Sequence, residues 1–225
     1  MQRHLYFTDT YLTEQATTVA RVGRGEDGGP WIALADNIFH PQGGGQPSDL
    51  GTVDGHAGRG RKGEDEGWVV VDLLAPDGSD TAEQPFAVGD AVTARIDAEA
   101  RRLHAALHTA GHLIDAYVRR LGLPHAGNSH FPGQARVDYL VEDRAIDRAE
   151  LTEQLGKHLA ESVGAALPVT AGYRDGVRHV TIEGLNSEPC GGTHVRDLSL
   201  LTDASIRSIK VKSGRLRVGY DAAHV

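Results

Sequence analysis

The sequence predicts an α+β protein with two parts. A small N-terminal β-barrel domain occupies residues 1–97, and an α+β domain with an antiparallel sheet and a long histidine-rich helix occupies residues 98–225. Three observations carry this prediction. Before residue 97, short β-branched and aromatic runs alternate with Gly, Asp and Pro clusters, and no stretch keeps a helical period. Residues 101–120 then repeat apolar side chains at steps of three and four. Beyond them, Asp175-Gly176 and Ser213-Gly214 break β-rich runs at hairpin turns.

The N-terminal runs are residues 11–22, 30–39, 68–74 and 91–96. Short strands of this kind fit an antiparallel barrel, which closes off its own edges. Residues 55–67, GHAGRGRKGEDEG, lack a large apolar anchor and read as a mobile hairpin tip, with nucleic-acid contact as an alternative. In Gly43-Gly44-Gly45-Gln46-Pro47-Ser48-Asp49, successive glycines let the backbone approach a ligand and offer consecutive N–H groups to an anionic or carbonyl oxygen. Pro47 fixes the exit from that turn.

The helix over 101–120 presents Leu103, Leu107, Ala110, Ile114, Tyr117 and Leu121 as its apolar stripe. Asp97 is placed to cap its start, and Gly122 with Pro124 ends it. A loop (125–133), a strand (134–141) and a second helix (148–165, with Leu151, Leu155, Leu159 and Val163) follow. Two hairpins complete the sheet, from 168–173 with 178–183 and from 206–211 with 216–220.

The chemistry begins on the first helix. His104, His108 and His112 stand four residues apart, so they share one face. Helical histidines are ordinarily solvated or hydrogen-bonded. Here, however, the chain's one cysteine lies four residues before another histidine, in Glu188-Pro189-Cys190-Gly191-Gly192-Thr193-His194. Two helical histidines plus a Cys/His pair on a tight turn make a four-ligand set of zinc type: His108, His112, Cys190 and His194. His104, one turn earlier, is a neighbour or decoy rather than a ligand.

Composition bounds the function. The 225 residues are 40% hydrophobic and 24% charged, ordinary for a globular protein, and no apolar run approaches a membrane span. The N-terminal residues lack a long apolar signal region and one cysteine forbids an internal disulfide, so a cytoplasmic protein is expected. A net charge of −8 argues against a broad nucleic-acid-coating surface. Local basic groups remain at Arg59, Arg61 and Lys62, and at Arg207, Lys210, Lys212, Arg215 and Arg217, enough for gripping one end of a nucleic acid.

His108-Thr109-Ala110-Gly111-His112 together with Cys190-Gly191-Gly192-Thr193-His194 resembles the editing domain shared by alanyl- and threonyl-tRNA synthetases and the free-standing AlaX-type trans-editing proteins. Gly43 to Asp49 is similar to the glycine-rich motif of the longer AlaX proteins, and Ser129-His130-Phe131-Pro132 also matches AlaX sequences. The motifs span most of the chain in the family's order. This resemblance makes residues 98–225 a tRNA-editing domain and the first helix a zinc-bearing one.

The resemblance implies hydrolysis of the ester between a wrong amino acid and the 3′ end of a tRNA, with Zn2+ as cofactor and the tRNA acceptor end as partner. A zinc that leaves room for water can bring that water's pKa to about 7, or it can orient the ester. The resemblance further implies a substrate pocket shaped by Asn37, Gly43, Gly44, Gly45 and Gln46, with His125 and His130 as further substrate-touching residues. Family members carry Thr where this chain has Asn37 and Tyr where it has His40. Without the metalloprotease motif His-Glu-x-x-His, no carboxylate base is built into the helix, and without an activation domain the chain should not charge tRNA.

Three readings compete: a deacylase of tRNA(Ala) carrying serine or glycine; a deacylase of tRNA(Thr) carrying serine or a threonine analogue such as fluorothreonine; and a non-catalytic zinc module that binds tRNA ends. Asn37 bears on the first two. Its amide either lines the pocket and changes the substrate, or caps the loop backbone and leaves the usual preference intact.

Overall fold

The computed structural model describes residues 1–74 and 83–225. The chain is mostly β, with a closed six-stranded barrel and two α-helices among the described residues. It divides into two compact units. The first comprises Met1–Gly43 and Pro47–Arg101, the second Gly44–Gln46 and Arg102–Val225.

The first unit carries β1 (Arg3–His4), β2 (Glu14–Arg24), β3 (Pro30–Leu34), β4 (Asp36–Asn37), β5 (Leu50–Val53), β6 (His56–Lys62), β7 (Val69–Leu73) and β8 (Ala91–Ile96). The barrel closes in the order β2-β3-β7-β6-β5-β8, while β1 and β4 form a short parallel pair. The period of two is clearest in β8, whose Val92, Ala94 and Ile96 are buried between exposed or half-exposed neighbours. They meet Val19, Ile32, Leu34, Phe39, Val53 and Val71 in one apolar cluster.

The structure corrects one expectation here. Most of the stretch 55–67 is not a hairpin tip but strand β6, paired to β5 and β7 along the barrel wall. Its two buried positions are glycines, Gly58 and Gly60. A Cβ at Gly58 would stand 2.5 Å from a Val71 methyl, and one at Gly60 would stand 2.8 Å from the His40 carbonyl oxygen. The neighbours fill the interior, so the strand needs no apolar side chains of its own. Asp54 and Gly55, both at positive φ (44° and 85°), make the tight turn from β5 into β6.

At the foot of this unit, Arg101 and Asp49 form a fully buried ion pair, with Arg101 Nε donating to Asp49 Oδ1 at 3.1 Å. Arg101 Nη2 also donates to the Ile38 carbonyl at 2.6 Å, and Asp49 Oδ2 accepts the His40 N–H at 2.6 Å. The last residue of the glycine-rich motif is therefore a backbone anchor.

The second unit is built on α1 (Ala98–Arg120), whose first turn belongs to the first unit. β9 (His125–Ser129), β10 (Arg136–Leu140), α2 (Arg148–Gly164), β11 (Val169–Arg174), β12 (Val177–Ile182), β13 (Asn186–Pro189), β14 (Leu201–Lys212) and β15 (Arg215–His224) follow. Asp97 caps α1 through bonds of 3.0 Å from the Glu99 and Ala100 N–H groups, and Asp147 caps α2 in the same way. The strands form two antiparallel sheets, β14-β15-β10-β9 and β11-β12-β13, rather than one.

The predicted loop 125–133 begins as strand β9, paired to β10 with a bulge at Asp138/Tyr139. Its sequence, HAGNS, carries no apolar alternation because it is an edge strand held by backbone bonds. The buried face of α1 is Leu107, Ala110, Leu113, Ile114 and Val118, which pack with Leu151, Leu155 and Leu159 of α2 and with Val137, Tyr139, Val218 and Tyr220 of the larger sheet. Leu121, expected in that stripe, falls beyond the helix and is exposed. No described helix is long and apolar enough to cross a membrane.

Candidate metal centre and its cleft

Two pieces of the second unit converge. α1 supplies His108 and His112, one turn apart, with ring centroids 5.1 Å from each other. The loop leaving β13 supplies Cys190 and His194. That loop is held by Arg178 of β12, which donates to the Cys190 carbonyl at 2.6 Å and the Gly192 carbonyl at 3.1 Å. Gly192 lies so close to the His108 imidazole that a Cβ there would collide with the ring. The glycine is what lets the loop reach the helix.

The four side chains bring their ligand atoms within 4.8 Å of one another. Cys190 Sγ is 3.5 Å from His108 Nε2 and 3.3 Å from His194 Nε2. A tetrahedral centre with bonds of about 2.0–2.3 Å puts its ligand atoms roughly 3.3–3.8 Å apart, so these two edges already have the right length.

The surroundings decide which nitrogen each ring presents. His108 Nδ1 donates to Gln46 Oε1 at 2.9 Å, which leaves the Nε2 lone pair facing the thiol. Gln46 is itself fully buried, donating to Thr193 Oγ1 and accepting the Thr193 N–H, each at 2.9 Å. The Thr109 hydroxyl donates to the Ala105 carbonyl at 2.8 Å and so accepts from His194 Nδ1 at 3.1 Å. That fixes the same tautomer on the second ring.

Burial pushes His112 down to about 4, against the opposing pull of the Asp115 charge, so its ring is neutral at pH 7. Burial pushes the Cys190 thiol up, with the Gly192 N–H and the Arg178 charge acting the other way. A dipositive ion held by the four groups would supply the charge that favours thiolate. A soft sulfur and three imidazoles, two of them oriented by hydrogen bonds, suit zinc.

Three of the four, His108, His112 and Cys190, line a cleft of about 550 Å³ together with Gly44, Asp115, Arg119, His125, Asn128, His130 and Glu188. His130 stacks on His108 with centroids 4.3 Å apart. Its Nδ1 is 2.5 Å from the Tyr220 hydroxyl, which donates to the Leu107 carbonyl at 3.0 Å, and its backbone N–H donates to Gly45 O at 2.8 Å. Burial pushes His130 down to about 3. At the rim, His125 Nδ1 lies 2.9 Å from Asp115 Oδ1, and Arg119 bridges Asp115 (3.6 Å) and Glu188.

Of the residues singled out in the sequence, His108, His112, Cys190 and His194 come together. Gly44, His125 and His130 line their cleft, and Gly45 holds His130. Gln46 has its amide on His108 and Thr193. His104 is buried outside the group of four. Gly43 and Asn37 belong to the first unit, where Asn37 is fully buried with both ends of its amide on Phe39: Nδ2 donates to the carbonyl at 2.8 Å and Oδ1 accepts the N–H at 3.1 Å.

Sequence reasoning passed over Asp115, Arg119, Glu188 and Thr109. Asp115 had one legible signal, its place three residues after His112 on the same helical face.

No family model matches the chain. Curated relatives do. The chain is 30% identical over 246 residues to the alanyl-tRNA editing protein AlaX-M of Methanosarcina mazei, covering 94% of this chain and 92% of that protein. It is 29% identical over 204 residues to the AlaX-M protein of Pyrococcus horikoshii, covering 88% and 87%. Against the alanine–tRNA ligase of Kineococcus radiotolerans it is 33% identical over 217 residues, which is 85% of this chain and 24% of the ligase.

Proposed function

Since the chain belongs to the AlaX family of alanyl-tRNA editing proteins, we propose that it is a trans-acting deacylase that hydrolyses the ester of mischarged tRNA(Ala), with serine or glycine as the wrong amino acid. The observation that carries this reading is the convergence of His108, His112, Cys190 and His194 in an open cleft, with tautomers set by Gln46 and Thr109. In this reading these four hold one zinc ion, which when bound supplies Lewis-acid chemistry to oxygen atoms in the cleft.

The chain's own residues do the rest. Gln46 and Thr109 keep the two Nε2 lone pairs turned inward. Gly44 leaves the cleft wall without a side chain, so an aminoacyl ester can approach the backbone. Arg119 at the rim offers positive charge to the terminal phosphate or ribose of the tRNA. Residues 98–225 are proposed to carry the metal and the chemistry, and residues 1–97, with Asn37 and Gly43, to bear on the choice of substrate.

The tRNA(Thr) reading rests on the resemblance to threonyl-tRNA editing together with Asn37 in the pocket motif. With both ends of its amide engaged by Phe39, Asn37 fits the backbone-capping role, which supports tRNA(Ala). Deacylation of a panel of charged tRNAs tests the proposal. Seryl- and glycyl-tRNA(Ala) should be hydrolysed well above the spontaneous rate, and alanyl-tRNA(Ala) and seryl-tRNA(Thr) much more slowly. Absence of hydrolysis on every member would reduce the protein to a tRNA-end binding module.

A further inference from the structure

Asp115 and His125 line the same cleft as His108, His112 and Cys190 but are outside the group of four. Asp115 is buried on α1, three residues after His112, while His125 opens strand β9 and is exposed. Asp115 Oδ1 accepts from His125 Nδ1 at 2.9 Å, which leaves the Nε2 lone pair without a hydrogen-bond partner among the described residues. Arg119, one turn along at 3.6 Å, holds the carboxylate. The ring is thus fixed in one tautomer by a buried carboxylate with its other nitrogen left over, the arrangement in which an imidazole works as a base. His130 is held in the same way by Tyr220, but its Nε2 is sealed from solvent.

We propose that His125 is the proton-transfer residue of the ester hydrolysis and Asp115 its positioning residue. This rests on the deacylase reading above. Water attacks the ester carbonyl carbon as its proton passes to His125 Nε2. The bond from that carbon to the ribose oxygen then breaks, and the same proton is delivered to the leaving oxygen. One water and one ester become a free amino acid and a ribose hydroxyl, with no other reactant.

The charges facing His125 set its working range. From α1 come Asp115 and Arg119, from β13 Glu188, and from β10 the Tyr139 ring, edge-on at 6.0 Å. His112 and His130 also lie within reach of its charge. The Asp115 hydrogen bond raises the His125 pKa, with burial and Arg119 opposing it and Glu188 adding to it. The neutral ring is the active base, so the rate should rise with pH through this raised pKa. Removing the carboxylate should move that limb to lower pH.

The test uses the intact zinc-loaded protein and seryl-tRNA(Ala), with wild-type activity established first, so that failure of the deacylase reading shows before any variant is compared. His125→Gln should keep its metal, lower kcat about 10²-fold or more and lose the limb. Added imidazole should restore part of the rate of His125→Ala. In Asp115→Asn the limb, and the His125 titration followed by NMR, should both move to lower pH. A kcat for His125→Gln within about threefold of wild type, or a loss in KM alone, overturns the proposal. So does an unmoved His125 titration in Asp115→Asn.

Discussion

Gln46 Oε1 sits 2.9 Å from His108 Nδ1, joining a glycine-rich turn to a helix 62 positions further along the chain. The contact decides the chemistry of the ring, because a proton fixed on Nδ1 leaves Nε2 as the lone pair for a metal. The same oxygen takes the Thr193 N–H, so one buried amide steadies both the helical and the loop ligands.

Gln46→Ala should therefore weaken zinc binding by about 10–100-fold while all four ligands remain. Competition with a coloured chelator measures this directly. An unchanged affinity would make Gln46 a packing residue only.

Cys190→Ala removes the one sulfur and should cost both metal and hydrolysis. His104→Ala, one turn from His108 but outside the group of four, should keep one equivalent of zinc. Metal analysis of the two purified variants separates the cases, and full zinc in Cys190→Ala would contradict the ligand set.

Asp49→Leu leaves the buried Arg101 guanidinium without its carboxylate. Breaking a buried pair from one side costs about 3–5 kcal/mol, and the His40 N–H loses its acceptor as well. Urea unfolding should show a loss of that order. A loss below about 1 kcal/mol would mean that water replaces the carboxylate there.

Asn37→Thr cannot satisfy both the N–H and the carbonyl of Phe39 in the present geometry. It should destabilise the protein by about 1–3 kcal/mol. The ratio of specificity constants for seryl-tRNA(Ala) and seryl-tRNA(Thr) should not change. A tenfold move in that ratio at unaltered stability would return Asn37 to the substrate pocket.

What was legible in the sequence was local. Asp97 caps the first helix as its place suggested, although the helix starts at Ala98 and not at residue 101, and Asp175-Gly176 and Ser213-Gly214 turn where positive φ is needed. The cluster of His108, His112, Cys190 and His194 could be anticipated because imidazoles four apart share a face and the two glycines of Cys-Gly-Gly-Thr-His favour a tight loop. Strands β6, β9 and β13 were not legible. They are held by backbone pairing, with glycines or polar residues where an apolar alternation would have announced them. The supports of the site were hidden for another reason: Gln46 meets Thr193, and Thr109 meets His194, only once the chain has folded. Asp115 and His125 are ten residues apart with the end of a helix between them, so their pairing is a property of the α1–β9 connection.

The proposed zinc centre is held to serve ester hydrolysis. The most direct measurement is the rate of serine release from seryl-tRNA(Ala) by protein stripped with a chelator and then given one equivalent of zinc. Stripping should abolish the rate and one equivalent should restore it, with Cys190→Ala inactive throughout. Equal rates before and after stripping, with zinc shown to be absent, would contradict it.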